Sequence, residues 1–435
     1  MSSLKLESKN NNYAATVIKV NTLTKLDKLD NLLGLPIFGF QAIVSKSVTE
    51  GTLGIVFTAE SQLSEDFAKV NNLYRHKELN QNKEITGYLD DTRRVKAIKL
   101  KGNVSSALFM PLSSLSYLGI NVNDLKEGDT FDSINGIEVC RKYKIKRQQS
   151  EGGTKNKQQG KNKKFDRVIT GSFPEHLDTD NYFKNSHKIK PEAYVTGTQK
   201  LHGTSGRFAH IKVLRKLKWF ERVLLKLGLK IDELEYATIA GSRRVVKDVQ
   251  TDRQYNHYYQ ADIWNTWLER IKHLIPKDYI IYGEIIGWIG ETPIQQGYTY
   301  NLPQGESELY IYRITHINAD NVQTDLGWEQ VKHFCRTNGL KYVPELFQEQ
   351  HAGLNVQYYM DVFLDELDNG RQVVSLKSPE SGPADEGIVI RLEGLTPYIL
   401  KAKSPLFLAY ESGQLDKGVA DVESQQSDDS GDDLV

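Results

Sequence analysis

The chain has 435 residues, of which 39% are hydrophobic, 10% aromatic and 26% charged. This predicts two or three domains with sizeable cores and excludes a disordered chain, a collagen-like fibre and a small disulfide scaffold. Lys plus Arg and Asp plus Glu each total 56, but the zero net charge hides an asymmetry: seven acids against one lysine put Asp416–Val435 at −6 and residues 1–415 at +6. That surplus permits a nucleic-acid partner. Two distant cysteines, Cys140 and Cys335, can build neither a metal cluster nor a disulfide framework. The N-terminus is too polar for a signal peptide, and no apolar run approaches the ~20 residues of a membrane span. The expectation is a soluble, intracellular protein with no membrane partner and no obligate protein partner.

Residues 13–145 read as mostly β. Tyr13–Val20, Ile37–Lys46, Thr52–Thr58, Arg94–Leu100 and Ala107–Pro111 are short β-rich stretches separated by Gly, Asn and Asp. An OB-like barrel over 1–147 fits them. Arg141–Lys164 then carries ten basic residues and one acid, and residues 148–164 lack an apolar anchor. They read as a basic flexible linker, either a solvated spacer or an RNA-touching arm.

Residues 165–411 mix helices and strands, so the whole is α+β. Val213, Leu217, Phe220, Leu224 and Leu227 fall at helical spacing with a basic opposite face, and a core-facing helix is preferred to one that meets a membrane or RNA. Asp262–Ile275 reads as a second amphipathic helix. Tyr236–Ala240, Tyr279–Ile286, Glu308–Ile317, Glu386–Leu392 and Pro397–Lys403 read as strands. Residues 412–435 read as a disordered acidic tail.

The chemistry concentrates in a few places. Lys200-Leu201-His202-Gly203 sets a lysine in a small, polar turn. Lysine is a nucleophile only where burial or nearby cations release its proton; alone, a surface lysine is the commoner case. Ser242-Arg243-Arg244 follows a strand, where an arginine fork can hold phosphate; a surface ion pair is its bland counterpart. Glu284 lies inside an apolar strand, where an unpaired carboxylate is costly. Tyr310 and Tyr312 share a strand face by the period of two, with core packing as the competing role. Glu386 begins another strand. Lys401 and Lys403 share the face of a last one, which suits a polyphosphate or an exposed edge.

Together and in this order, these elements resemble the covalent nucleotidyltransferase superfamily of ATP-dependent DNA and RNA ligases and mRNA capping enzymes. Lys200 with Gly203 looks like motif I, Ser242-Arg243 like motif Ia, Glu284 like motif III, Tyr312 like motif IIIa, Glu386 like motif IV, and Lys401 with Lys403 like motif V. The resemblance covers about residues 175–408. His202 stands where DNA ligases and capping enzymes usually carry Asp, so it is not taken as a metal ligand. Arg313 follows Tyr312 where relatives often have Asp. The expected OB-like domain precedes the motifs, an order that resembles the Naegleria- and Deinococcus-type RNA ligases.

The resemblance implies an adenylyltransferase domain of antiparallel sheets with flanking helices, similar to an ATP-grasp-like ligase fold. It implies an ATP-dependent RNA ligase acting in RNA repair on 3′-OH and 5′-phosphate ends, such as those of a nicked duplex. Lys200 would be the nucleophile that becomes lysyl-AMP. Lys401 and Lys403 would neutralise the α-phosphate. Gly203, Arg243, Glu284, Tyr312 and Glu386 would bind the nucleotide, with Tyr312 on the adenine. Glu284 and Glu386 would also hold Mg²⁺ or Mn²⁺ through water. The alternatives are a DNA ligase, a capping guanylyltransferase, and a non-catalytic RNA-binding relative.

Overall fold

The computed structural model describes residues 4–144, 167–248, 261–365 and 384–417. The expected linker at 148–164 and the acidic stretch beyond Lys417 lie outside the described residues. The chain divides into two compact units. Each mixes strands with helices, as α+β predicts.

The first unit joins Met1–Gln148 to Asp180–Lys188 and Leu400–Val419. Its main sheet runs Thr130–Phe131, Ala15–Lys19, Leu53–Thr58, Ala107–Pro111, Phe40–Ser45, Leu32–Ile37, Thr24–Lys25. The Leu53–Thr58 strand is buried on both faces, and the period of two sorts its side chains. Ile55 and Phe57 enter one core with Phe67, Leu115 and Phe131, while Val56 enters another with Ile18, Leu35 and Phe109. The expected barrel does not close among the described residues. The sheet ends on two-residue edges, and Ala107–Pro111 meets Phe40–Ser45 in parallel through one pair, Ala107 with Ala42. The single stretch expected at Ile37–Lys46 is one arm of a hairpin, turned by Phe38 and Gly39 at φ 53° and 75°. Of Arg94–Leu100, only Ile98–Leu100 is strand.

What replaces the strand at Arg94 is a polar hub that draws in the chain's C-terminal segment. Pro405–Asp416 forms a helix, with the Ser404 hydroxyl accepting from the Leu406 and Phe407 N–H groups and Pro405 in the first turn. Leu408 packs on Ala59 and Ala97. The buried Arg94 guanidinium donates to the Ser412 carbonyl at 2.9 Å and pairs with Glu60 at 3.1 Å and Asp416 at 3.3 Å. The Ser412 hydroxyl donates to Glu60 at 2.8 Å. Residues 412–416 are therefore helix rather than the start of an acidic tail, because Ser412 is buried and Asp416 has cations to meet.

The second unit, Gln149–Thr179, Ile189–Ile399 and Ala420–Val435, carries two sheets. In one, Tyr194–Lys200 lies between Gly387–Leu392 and Glu345–Gln350, antiparallel to both. The other has the order Leu234–Gly241, Thr204–Leu214, Tyr279–Ile289, Ser307–Ile317, Gln323–Asp325. Val213, Ile211, Ile239, Ile280 and Tyr282 form its core with Phe173. The helix expected at Asp262–Ile275 spans Ile263–Ile271, followed by a 3₁₀ turn at Lys272–Leu274, and is capped by Asp262, which accepts from Asn265 N–H at 3.1 Å. The core-facing helix expected from Val213 to Leu227 is different in kind. The strand continues to Leu214, the helix spans only Trp219–Lys226, and none of its residues is buried.

Burial pushes the Glu60 carboxyl up to about 7, against the opposite pull of Arg94. A glutamate raised in the folded state stabilises the fold fully below about pH 4.5 and loses that contribution as pH rises through 7. Wild-type protein should therefore lose about 2–3 kcal/mol relative to Glu60→Gln between pH 4.5 and 8 in urea unfolding. Parallel pH profiles would contradict this.

Candidate active site

Strand register builds the site. Tyr194–Lys200 pairs antiparallel with Gly387–Leu392 so that Lys200 lies opposite Gly387. Glu386, one residue earlier, thus reaches the end of the lysine strand. Lys200 Nζ is 2.8 Å from Glu386 Oε2, with the glutamate buried and the lysine side chain 24% exposed. The chain then turns through Leu201-His202-Gly203 into the Thr204–Leu214 strand. His202 Nδ1 lies 3.3 Å from the same Glu386 oxygen.

Glu284 closes the turn from the other side. Its strand, Tyr279–Ile289, sets it opposite Ser205. Gly203 N–H donates to Glu284 Oε1 at 3.0 Å, and the Ser205 hydroxyl donates to Oε2 at 3.2 Å. Gly203 has no room for a side chain, because a Cβ would lie 2.2 Å from the Ile285 carbonyl oxygen. The two carboxylates therefore hold the Lys200–Ser205 turn between them. No group of three or more His, Cys, Asp or Glu forms a metal cage among the described residues. Two carboxylates without a third acid suit a hydrated Mg²⁺ or Mn²⁺ shared with phosphate oxygens, since Mg²⁺ keeps most of its water.

Several residues that the sequence reading passed over support the turn. Tyr300 hydroxyl accepts from His202 N–H at 2.7 Å, and burial raises its pKa well above that of an ordinary tyrosine. The ring of Tyr298 meets His202 edge-on at 4.6 Å. Gln295 donates to the Gly203 carbonyl at 2.8 Å, and Trp264 Nε1 to the Ser205 carbonyl at 3.0 Å. Asp385 accepts from Gln199 at 3.2 Å, and burial raises its carboxyl to about 8. The Tyr298-Thr-Tyr300 pair in a Gly- and Gln-rich loop was the one available sequence signal.

Other predicted residues take their own places. Arg243 donates to Asp178 at 2.5 Å. Arg207, buried over the Phe173 ring at 4.3 Å, donates to the Ser242 carbonyl at 3.0 Å and so fixes the turn before Arg243. Tyr312 is the extra residue of a bulge, because Ile311 pairs with Gly283 and Arg313 with Tyr282. The bulge breaks the face that the period of two assigned to Tyr310 and Tyr312. Tyr312 hydroxyl instead meets His176 Nδ1 at 2.6 Å. Arg313 pairs with Asp325 at 2.5 Å over the Tyr282 ring. Lys401 and Lys403 lie on the Tyr398–Lys403 strand and belong to the first unit. There Lys403 Nζ is 3.4 Å from Glu411 and 4.9 Å from the Phe407 ring centre.

Residues 193–403 match the family model described as RNA ligase. This stretch is similar to the RNA ligase family. The matched stretch contains Lys200, Glu284, Glu386, Lys401 and Lys403. Over the wider chain, the fold is similar to Naegleria gruberi RNA ligase with PPi, at 18% identity and a TM-score of 0.55, covering 92% of this chain and 98% of that one. A variant of that ligase with ATP and Mn matches at 16% identity and 0.53, covering 92% and 98%. Another, with AMP and Mn, matches at 16% and 0.54, covering 91% and 97%. No curated protein matches the chain at a significant level.

Gly203→Ala tests the geometry of the turn. Its methyl group must displace the Ile285 backbone or the turn itself. We expect transfer of label from ATP to the protein to fall at least about tenfold, the equivalent of ~1.4 kcal/mol in the barrier. Unaltered labelling would mean that the turn can shift without consequence.

Proposed function

We propose that the chain is an ATP-dependent RNA ligase that joins 3′-OH and 5′-phosphate RNA ends through lysyl-AMP. The observation that carries this reading is Lys200 Nζ, part-exposed at 2.8 Å from the buried Glu386, inside a stretch similar to the RNA ligase family. The ATP and Mn named with the solved Naegleria gruberi ligases support the nucleotide and a divalent ion.

The first step is attack of the Lys200 amine on the α-phosphorus of ATP. The new N–P bond replaces the bond to pyrophosphate, which leaves. Lys200 must lose a proton to solvent before it attacks; Glu386 at 2.8 Å favours the charged amine, and the cations of Lys401, Lys403 and a divalent ion would shift the balance to the neutral one. The AMP then passes from lysine to the RNA 5′-phosphate, breaking the N–P bond and forming a pyrophosphate link. Finally the RNA 3′-OH attacks that 5′-phosphate, the phosphodiester forms and AMP leaves.

Such chemistry depends on positioning and charge neutralisation. Lys401 and Lys403 would neutralise the α-phosphate. Arg243 would grip a phosphate or ribose, exchanging Asp178 for the ligand. Tyr312 would stack on adenine from its bulge. A divalent ion near Glu284 and Glu386, held through water, would supply further neutralisation of the phosphates. The first unit would orient RNA by backbone charge and stacking, whether as an OB-type surface or through another face of its sheet. The occasion would be RNA repair, with a nick in duplex RNA as one fitting substrate.

Lys200→Ala separates the steps. It should abolish protein labelling by α-labelled ATP and sealing of 5′-phosphate RNA. It should keep some sealing of chemically pre-adenylylated RNA, because the AMP is then already in place. Glu386→Ala and Lys403→Ala should lose that reaction as well. Labelling of the wild type by GTP rather than ATP would move the chain to the capping class, and labelling of Lys200→Ala would displace the nucleophile.

A further inference from the structure

The Trp219–Lys226 helix is amphipathic and turned the wrong way for a globular surface. At 100° per residue, Trp219, Val223 and Leu227 form one line, with Phe220 and Leu224 beside it. That apolar face should be covered, yet Trp219 is 79% exposed, Leu227 72%, Val223 47% and Phe220 44%. Gly228, at φ 83°, ends the helix, and Leu229 beyond it is also exposed.

The polar side is the one tied down. Arg215 donates to both oxygens of Glu221, at 2.8 and 3.1 Å, and to the Asp232 carbonyl at 2.6 Å. Lys218 N–H donates to Glu221 at 2.7 Å. The helix is thereby latched to the ends of the strands that flank it, Thr204–Leu214 and Leu234–Gly241, with its apolar face outward. Isolated exposed apolar side chains are ordinary, but a contiguous set on one latched face is not.

Charge indicates the occupant. Between Lys212 and Lys230 stand seven basic residues and one acid, Glu221, which is already engaged by Arg215. Lys218, Arg222, Lys226 and Lys230 are all exposed beside the apolar line. The acids that follow, Asp232, Glu233 and Glu235, reduce the local charge to +3 over residues 212–235 without reversing it. RNA would meet the cations, and its bases could stack on Trp219, but it offers little to bury Val223, Leu227 and Leu229. A surface that offers anions at its face and hydrocarbon just below satisfies both halves of the pattern.

We propose that this helix and its flanks dock on an anionic lipid surface, with Trp219, Phe220 and Leu227 entering the interface and the lysines meeting the headgroups. This replaces both the core-facing helix and the absence of a membrane partner expected from sequence, and it is independent of the ligase mechanism. The attachment is peripheral, since no helix among the described residues is long and apolar enough to cross a membrane.

The test is co-sedimentation of the full chain with vesicles of phosphatidylcholine plus phosphatidylglycerol and with vesicles of phosphatidylcholine alone. The wild type should bind the anionic vesicles at least about tenfold more strongly. The double variant Trp219→Ser/Leu227→Ser should lose at least about tenfold of that binding at an unchanged melting midpoint, and Lys218→Glu/Lys226→Glu should do likewise. Failure of the wild type to bind overturns the proposal, as does undiminished binding by the Trp219→Ser/Leu227→Ser protein, which would mark attraction through charge elsewhere. A dimer in light scattering that Trp219→Ser/Leu227→Ser dissolves would assign the face to a second copy. Loss of affinity for a single-stranded RNA oligonucleotide in that variant, with vesicle binding intact, would assign it to RNA. Either result replaces the lipid.

Discussion

The candidate site depends on one carboxylate. Glu386 Oε2 lies 2.8 Å from Lys200 and 3.3 Å from His202, and it can do so only because Lys200 pairs with Gly387 across the sheet. A slip of one residue would turn every side chain of the Gly387–Leu392 strand to its other face. Glu284 fixes the same turn from a second sheet, through Gly203 N–H and the Ser205 hydroxyl. Two carboxylates from two sheets thus define where the lysine amine stands.

The residues that gather at the candidate site stand out in the sequence where chemistry and period coincide. Glu284 reads as unusual because an apolar strand surrounds it, and Lys200 because a small, polar turn follows it. The strand expected at Ala107–Pro111 is found with those bounds. The supports of the turn were hidden for the opposite reason. Tyr298, Tyr300 and Gln295 lie in an irregular loop, where no periodicity announces which way a side chain faces. The Tyr312 bulge was equally silent, because a one-residue insertion in a ladder depends on the partner strand and not on local propensity.

The two larger departures both turn on contacts that local sequence does not show. For Pro405–Asp416 the contact is with Ala59 and Ala97, more than 300 positions earlier in the chain, with the Arg94 hub sealing it. For Trp219–Lys226 no burial occurs, because Glu221 and Arg215 latch the polar side instead. One helix is thus held by a tertiary contact and the other keeps an outward apolar face, and polar partners contribute to both outcomes.

The account turns on Lys200 being the residue that carries AMP. The most direct measurement is peptide mapping by mass spectrometry after incubation of the protein with ATP and Mn²⁺ without RNA. The account predicts one adenylyl group, on the peptide that contains Lys200 and on its Nζ. An adenylyl group on any other side chain, or none at all, would contradict it.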